Sequence, residues 1–209
     1  MTPAFVIADV FTRIPFGGNQ LAVFPDAAGL TATQMQALAR EFNFAESTFV
    51  LPARDSRCLA EVRIFTPRSE MPFAGHPTVG TAAVLAATGR LPLRDGRAKV
   101  WLQEPVGPVA VEVQMAQGST FARLTLETTV EIPATVPPKA DVAAALSLPE
   151  ASIRATWFAG IGVRFCVAHL ADARAVADAV LDRTAWTRAL AGCWAPNLYL
   201  FAGATAPKG

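Results

Sequence analysis

Residues 72–90 read PFAGHPTVGTAAVLAATGR, and this stretch decides the fold. Pro77 suits the first position of a helix, where no N–H is needed, and Gly89 suits a left-handed stop at the other end. Between them VGTAAVLAAT is apolar or small on every face. A helix with no polar stripe must be surrounded by protein. The spacing therefore predicts a buried helix over residues 77–88, with strands close around its small side chains.

Segments that can do the wrapping lie on both sides. FVIADVF (5–11) alternates, with Phe5 and Ile7 on one face and Val6 and Ala8 on the other. Residues 21–24, 49–51, 61–65, 100–102, 109–113 and 121–126 read as further strands, with turns at 15–19, 25–26 and 118–119. Thr31 or Thr33 caps a helix whose apolar positions are Met35, Leu38, Ala39 and Phe42. TTVEIPATVPPKAD (128–141) has no periodicity and serves as a linker. It divides the chain into lobes of residues 1–128 and 129–209. The second lobe reads as a helix at 141–146, strands at 156–158 and 163–169, a helix at 172–180 and a last strand at 197–201. The fold class is α+β.

Composition excludes several functions. Of the 209 residues 52% are hydrophobic, so the chain can bury a core and is not disordered. Lys plus Arg (18) nearly cancels Asp plus Glu (17), which argues against a nucleic-acid surface. Mean hydropathy is positive, yet no segment is long and unbroken enough to span a bilayer, and no secretion signal opens the chain. Cys58, Cys166 and Cys193 show no CxxC spacing, and with two His in all a metal site is not expected. The expectation is a reduced, cytoplasmic protein.

Two constellations can carry chemistry. Gly75-His76-Pro77-Thr78 opens a helix, where unpaired N–H groups and the macrodipole favour an anion. His76 can donate to that anion or shuttle a proton; it can equally be a structural histidine at a helix start. Glu46, between Phe44 and Phe49, is a partly desolvated carboxyl suited to general acid/base work, or else an exposed strand-edge Glu satisfied by Ser47 or Thr48. Asp9 most simply bonds a nearby turn. Gly160-Ile161-Gly162 lacks the rest of a dinucleotide fingerprint and reads as a turn. His169 reads as a core or edge histidine.

DVFTRIPFGGNQLAVF (9–24), EFNFAESTFVLP (41–52), RIFTPRSEMPFAGHPTVGTA (63–82) and, more loosely, NLYLF (197–201) resemble the PhzF-like isomerase family of phenazine biosynthesis. That family shares its fold with diaminopimelate epimerase. The resemblance implies two pseudo-symmetric lobes, each a curled mixed sheet around a central helix, with the site in the cleft between them. It implies a cofactor-independent isomerase, a homodimer, moving a proton on a small carboxylate-bearing substrate. By the family's motifs Glu46 is the general acid/base and His76 lines the site, while Asn19, Gly75 and the N–H groups of Thr78 and Val79 bind substrate. Two departures stand out at Gln20 and Ser47, where the family commonly has Pro and Thr.

A diaminopimelate-type epimerase would need Cys where Gly75 stands, which argues against two-thiol chemistry. The family also carries a glycine-rich acidic motif after the NLYLF-like strand, and none follows here before Gly209. The second lobe is therefore expected to be incomplete, with Val163, Phe165, Leu198 and Leu200 on its inner face. The alternative function is a catalytically incomplete relative that binds a small acid or a partner.

Overall fold

The computed structural model describes residues 3–127, 129–161 and 163–203. The chain falls into two compact units that divide after Glu127; Thr128, the last residue of the expected first lobe, lies outside the described residues. The N-terminal unit contains β1 (Val6–Val10), β2 (Asn19–Phe24), α1 (Ala32–Phe42), β3 (Glu46–Leu51), β4 (Ala60–Phe65), β5 (Glu70–Met71), α2 (Gly75–Ala87), β6 (Arg97–Glu104), β7 (Gly107–Ala116) and β8 (Ser119–Thr125). Its mixed sheet runs β1-β2-β3-β4-β6-β7-β8, with β5 on β4. The β2–β3 and β4–β6 pairs are parallel.

The sheet curls around α2 as the apolar stretch demands. Ala82, Val84, Leu85 and Ala86 pack with Leu21, Val50, Val62, Leu102 and Val111 from successive strands. Gly80 shows how close the approach is: a β-carbon there would lie 2.6 Å from Leu21 Cδ2 and 2.7 Å from a Val10 methyl. Gly89 ends the helix at φ 71°, with Gly89 N–H donating to Ala86 O and Arg90 N–H to Leu85 O. This is the left-handed stop, in Schellman form. The start differs from expectation. The helix begins at Gly75, because Ala74 in extended geometry caps it and Thr78 N–H already donates to Ala74 O.

α1 covers the opposite face of β2 and β3. Met35 and Ala39 pack on Ala22, Phe24, Phe49 and Phe65, and the Phe24 and Phe49 rings stack at 4.6 Å. Covered on both sides, β2 reads as an unbroken apolar run rather than an alternating one. Thr31 is the cap: its hydroxyl accepts from Gln34 N–H while the Gln34 side chain accepts from Thr31 N–H, a capping box. β1 is covered on one side, so Val6, Ala8 and Val10 face the core while Phe5 and Ile7 stay about half exposed.

The C-terminal unit holds α3 (Lys139–Ala145), β9 (Ile153–Ile161), β10 (Val163–Leu170), α4 (Ala173–Asp178), α5 (Arg183–Ala189) and β11 (Leu198–Phe201). The sheet order is β11-β10-β9. Val142, Ala145, Ala175 and Leu190 from the helices pack with Phe158, Cys166, Ala168 and Leu170. Asp172 and Asp182 cap α4 and α5 through their carboxylates. The four side chains expected on one inner face divide between two. β10 and β11 are parallel with Cys166 opposite Leu198. Leu198 and Leu200 therefore join Cys166 and Ala168 beneath the helices, and Val163 and Phe165 alternate to the other face. No helix resembling α2 lies among this unit's described residues.

Candidate active site

The parallel pairing of β2 with β3 sets Leu21 opposite Glu46, so the starts of both strands and of α2 meet at one end of the N-terminal unit. His76, on the first turn of α2, places Nδ1 2.9 Å from Glu46 Oε2 and Nε2 3.2 Å from the main-chain oxygen of Asn19. The side chains of His76 and Glu46 are 10% and 19% exposed, respectively, so solvent reaches the pair without dissolving it.

These contacts constrain the proton count. A carbonyl oxygen only accepts, so the contact to Asn19 is a hydrogen bond in the form of His76 that carries a hydrogen on Nε2. The 2.9 Å contact at Nδ1 then holds one further proton, either on the imidazolium facing a carboxylate or on a Glu46 carboxyl facing a neutral ring. The two states differ by a short transfer between Glu46 and His76. An arrangement that stores a proton and passes it along a fixed line can serve as acid in one half of a reaction and base in the other.

What shields Glu46 differs from the sequence reading. Side chains alternate along β3, so Phe49 points away from Glu46 and packs with Phe44 against the α1 side. Thr48 and Val50 share the face of Glu46. Its environment comes from α2: His76 touches the carboxylate, and deeper on the same face the Thr48 and Thr81 hydroxyls bond at 2.8 Å. Neither Ser47 nor Thr48 satisfies Glu46, and Ser47 Oγ is buried without a partner among the described residues.

The expected main-chain donors shift with the start of α2. Thr78 N–H is committed to Ala74 O at 3.3 Å, and Val79 lies one residue deeper in the helix. Pro77 has no N–H, so the first-turn donors without a partner among the described residues are those of Gly75 and His76. A β-carbon at Gly75 would meet only Leu124 Cδ2, at 3.7 Å, so the backbone there is open to a ligand. Asn19 contributes its carbonyl to His76. Asp9 accepts from Phe16 N–H at 2.8 Å, which folds the 11–18 loop; Phe11 from that loop lies 6.0 Å from the His76 ring. A groove of about 420 Å³ runs from Asp9, Phe11 and Thr12 to Val79 and Gly80. A wider one, about 790 Å³, lies among Arg94, Arg97, Lys99 and Arg123; neither groove is lined by Glu46, His76 or Asn19.

One residue of this region escaped the sequence reading. Glu104, at the end of β6, is 3% exposed and touches Thr78 Oγ1 through Oε1 at 2.6 Å. Burial pushes its carboxyl up to about 7 against a smaller opposing pull from the Thr78 bond. Its even position in the alternating QE end of β6 was the available signal.

The remaining candidates lie elsewhere. His169 is buried and stacks on Phe201 at 4.7 Å, and all three cysteines are free thiols. Gly162 lies outside the described residues. Among the described residues no group of three or more His, Cys, Asp or Glu could hold a metal, and no helix is long and apolar enough to cross a membrane.

Comparison with known proteins places the chain. It belongs to the phenazine biosynthesis-like protein family (PhzC-PhzF), matched over residues 8–203. An uncharacterized isomerase of Mesorhizobium japonicum is 39% identical over 195 residues, covering 89% of this chain and 62% of that protein. The trans-2,3-dihydro-3-hydroxyanthranilate isomerase of Pseudomonas fluorescens is 44% identical over 118 residues, which is 56% of this chain and 40% of that one. The solved structure of a predicted epimerase from Pseudomonas aeruginosa superposes with a TM-score of 0.79 at 30% identity, over 95% of this chain and 70% of that one. The chain thus spans less than two thirds of the length of these curated relatives.

Proposed function

We propose that this protein is a cofactor-independent isomerase in which Glu46 moves a proton between two positions of a small carboxylate-bearing substrate. The observation that carries the reading is the Glu46–His76–Asn19 line, in which the imidazole ring bridges the carboxyl and a main-chain carbonyl. An isomerisation leaves atoms and oxidation state unchanged, so a single acid/base that gives at one carbon and takes at another suffices. In this reading Glu46 touches the substrate, and His76 holds or supplies the proton between the two half-steps. The free N–H groups of Gly75 and His76 take a substrate oxygen, favoured by the positive end of α2. Asn19 fixes the ring through its carbonyl. Thr78 and Val79 shape the turn from within.

The trans-2,3-dihydro-3-hydroxyanthranilate isomerase relatives make a dihydro-hydroxyanthranilate the first compound to test. Its turnover should fall at least about a hundredfold in Glu46→Gln, which keeps the shape and removes the exchangeable proton. His76→Ala should lower turnover while leaving the fold in place. Wild-type rates in Glu46→Gln would overturn the assignment. Tight binding of the acid with no turnover by the wild type would favour a non-catalytic acid-binding protein instead. A homodimer and a cytoplasmic location belong to the same proposal, and sedimentation of the purified protein checks the first.

A further inference from the structure

The Thr78 hydroxyl stands between two acceptors. Oγ1 lies 2.7 Å from Ala74 O and 2.6 Å from Glu104 Oε1. A hydroxyl carries one proton and a carbonyl oxygen carries none. If Thr78 donates to Ala74, the short contact to Glu104 has no proton unless Glu104 brings one. Both contacts are bonds together only when Glu104 is a neutral acid, its proton on Oε1 and directed at a Thr78 lone pair. Oε2, buried without a partner among the described residues, is then a carbonyl oxygen rather than half of an unsolvated carboxylate. That is the cheaper orphan.

No charge on the neighbouring elements compensates an ionised Glu104. On β6 itself Arg97 and Lys99 alternate to the outer face. From β4, Glu61 and Arg63 also point outward, to Arg54 and Glu70, and from β7 and β8 Glu112 and Arg123 pair outside. The titratable group of α2 is His76, engaged with Glu46 and Asn19. Between Glu104 and that pair the link is Thr78, on the same helical turn as His76.

We propose that Glu104 is a positioning residue that holds the first turn of α2 through Thr78 while protonated and releases it on ionisation. When the proton leaves, Thr78 turns its hydrogen to the carboxylate and gives up Ala74 O. The Ala74 carbonyl then keeps only the long bond from Thr78 N–H, 3.3 Å, and the turn that presents His76 to Glu46 loosens. The consequence for catalysis rests on the proposed function. The proton switch itself does not, and two of the three readouts use no substrate.

The experiment compares the wild type with Glu104→Gln and Glu104→Ala across pH 5 to pH 9. In Glu104→Gln the amide keeps a donor for Thr78 at every pH. Infrared difference spectra of the wild type should show a protonated-carboxyl band that disappears as pH rises through about 7. That band should be missing in Glu104→Gln and present in Glu46→Gln, which separates the two acids. Hydrogen exchange at Thr78 N–H, corrected for intrinsic pH dependence, should speed by about tenfold over the same range, the worth of one bond. Glu104→Gln should stay slow, and Glu104→Ala should show no pH-dependent change over this range, because no carboxylate draws the Thr78 hydroxyl away from Ala74 O. With a turned-over substrate, kcat should drop at high pH in the wild type and hold in Glu104→Gln. Absence of the band from the wild type, or the same pH-dependent exchange in Glu104→Gln, overturns the proposal whether or not the protein is an isomerase.

Discussion

The Thr48–Thr81 bond offers a test of how β3 is fixed to α2 beneath the candidate site. The two hydroxyl oxygens are 2.8 Å apart, both residues are wholly buried, and each makes no other side-chain bond among the described residues. Thr48→Val or Thr81→Val alone leaves the surviving hydroxyl in an apolar setting with no partner. The cost is the desolvation of that group, about 1–3 kcal/mol. Replacing both removes the polar pair together and adds two buried methyl groups, so the double variant should lie within about 1 kcal/mol of the wild type. The single losses should therefore sum to more than the double, with a coupling of at least about 1 kcal/mol. Urea unfolding of all four proteins, analysed with a common slope, measures this. Additive losses would refute the reasoning, since they would mean that the hydroxyls are solvated or bonded elsewhere and do not depend on each other.

Other outcomes follow from the same packing. In the folded chain Glu104 is pushed up to about 7 from 4.5 by burial, so its contribution to stability is full at low pH and declines as pH rises through that window. Between about pH 5 and about pH 8 the wild type should lose about 2–3 kcal/mol relative to Glu104→Gln, as measured by urea unfolding; parallel pH profiles would contradict it. Gly80→Ala should destabilise by about 1 kcal/mol, because overpacking against Leu21 and Val10 outweighs the gain in helix propensity; a raised Tm would show a looser core. Cys166 is fully buried, and burial, helped by the nearby Cys193, pushes its thiol up to about 11. A thiol reagent at pH 8 should therefore modify half-buried Cys193 in preference to Cys166, as peptide mass mapping would reveal; equal labelling would mean that the helices open readily.

Local chemistry was enough for the central helix. Residues 79–88 offer water no polar side, so burial of α2 and a surrounding sheet follow from composition alone. The capping box at Thr31 and the left-handed stop at Gly89 were equally legible, because each depends on a few adjacent residues. α5 was missed although Asp182 caps it, since its seven residues show too short an apolar pattern to stand out. The start of α2 was placed two residues late because Pro77 fits the first and third helical positions alike; extended Ala74 decided between them.

Glu46 and His76 were legible as acid/base candidates from residue type and motif, but their pairing was not. They are thirty positions apart, and only the parallel register of β2 with β3 and the docking of α2 inside the sheet bring Nδ1 to 2.9 Å from the carboxylate. The same limit applies to Phe49: residues an odd number of positions apart on a strand face opposite sides, so a nearby aromatic need not shield a carboxyl. Glu104 is the strongest case. Its neutral, proton-donating state depends on its burial and on one threonine hydroxyl delivered by α2. Periodicity and motif determine which elements form; which side chains share a proton is a matter of distances that only long-range packing sets.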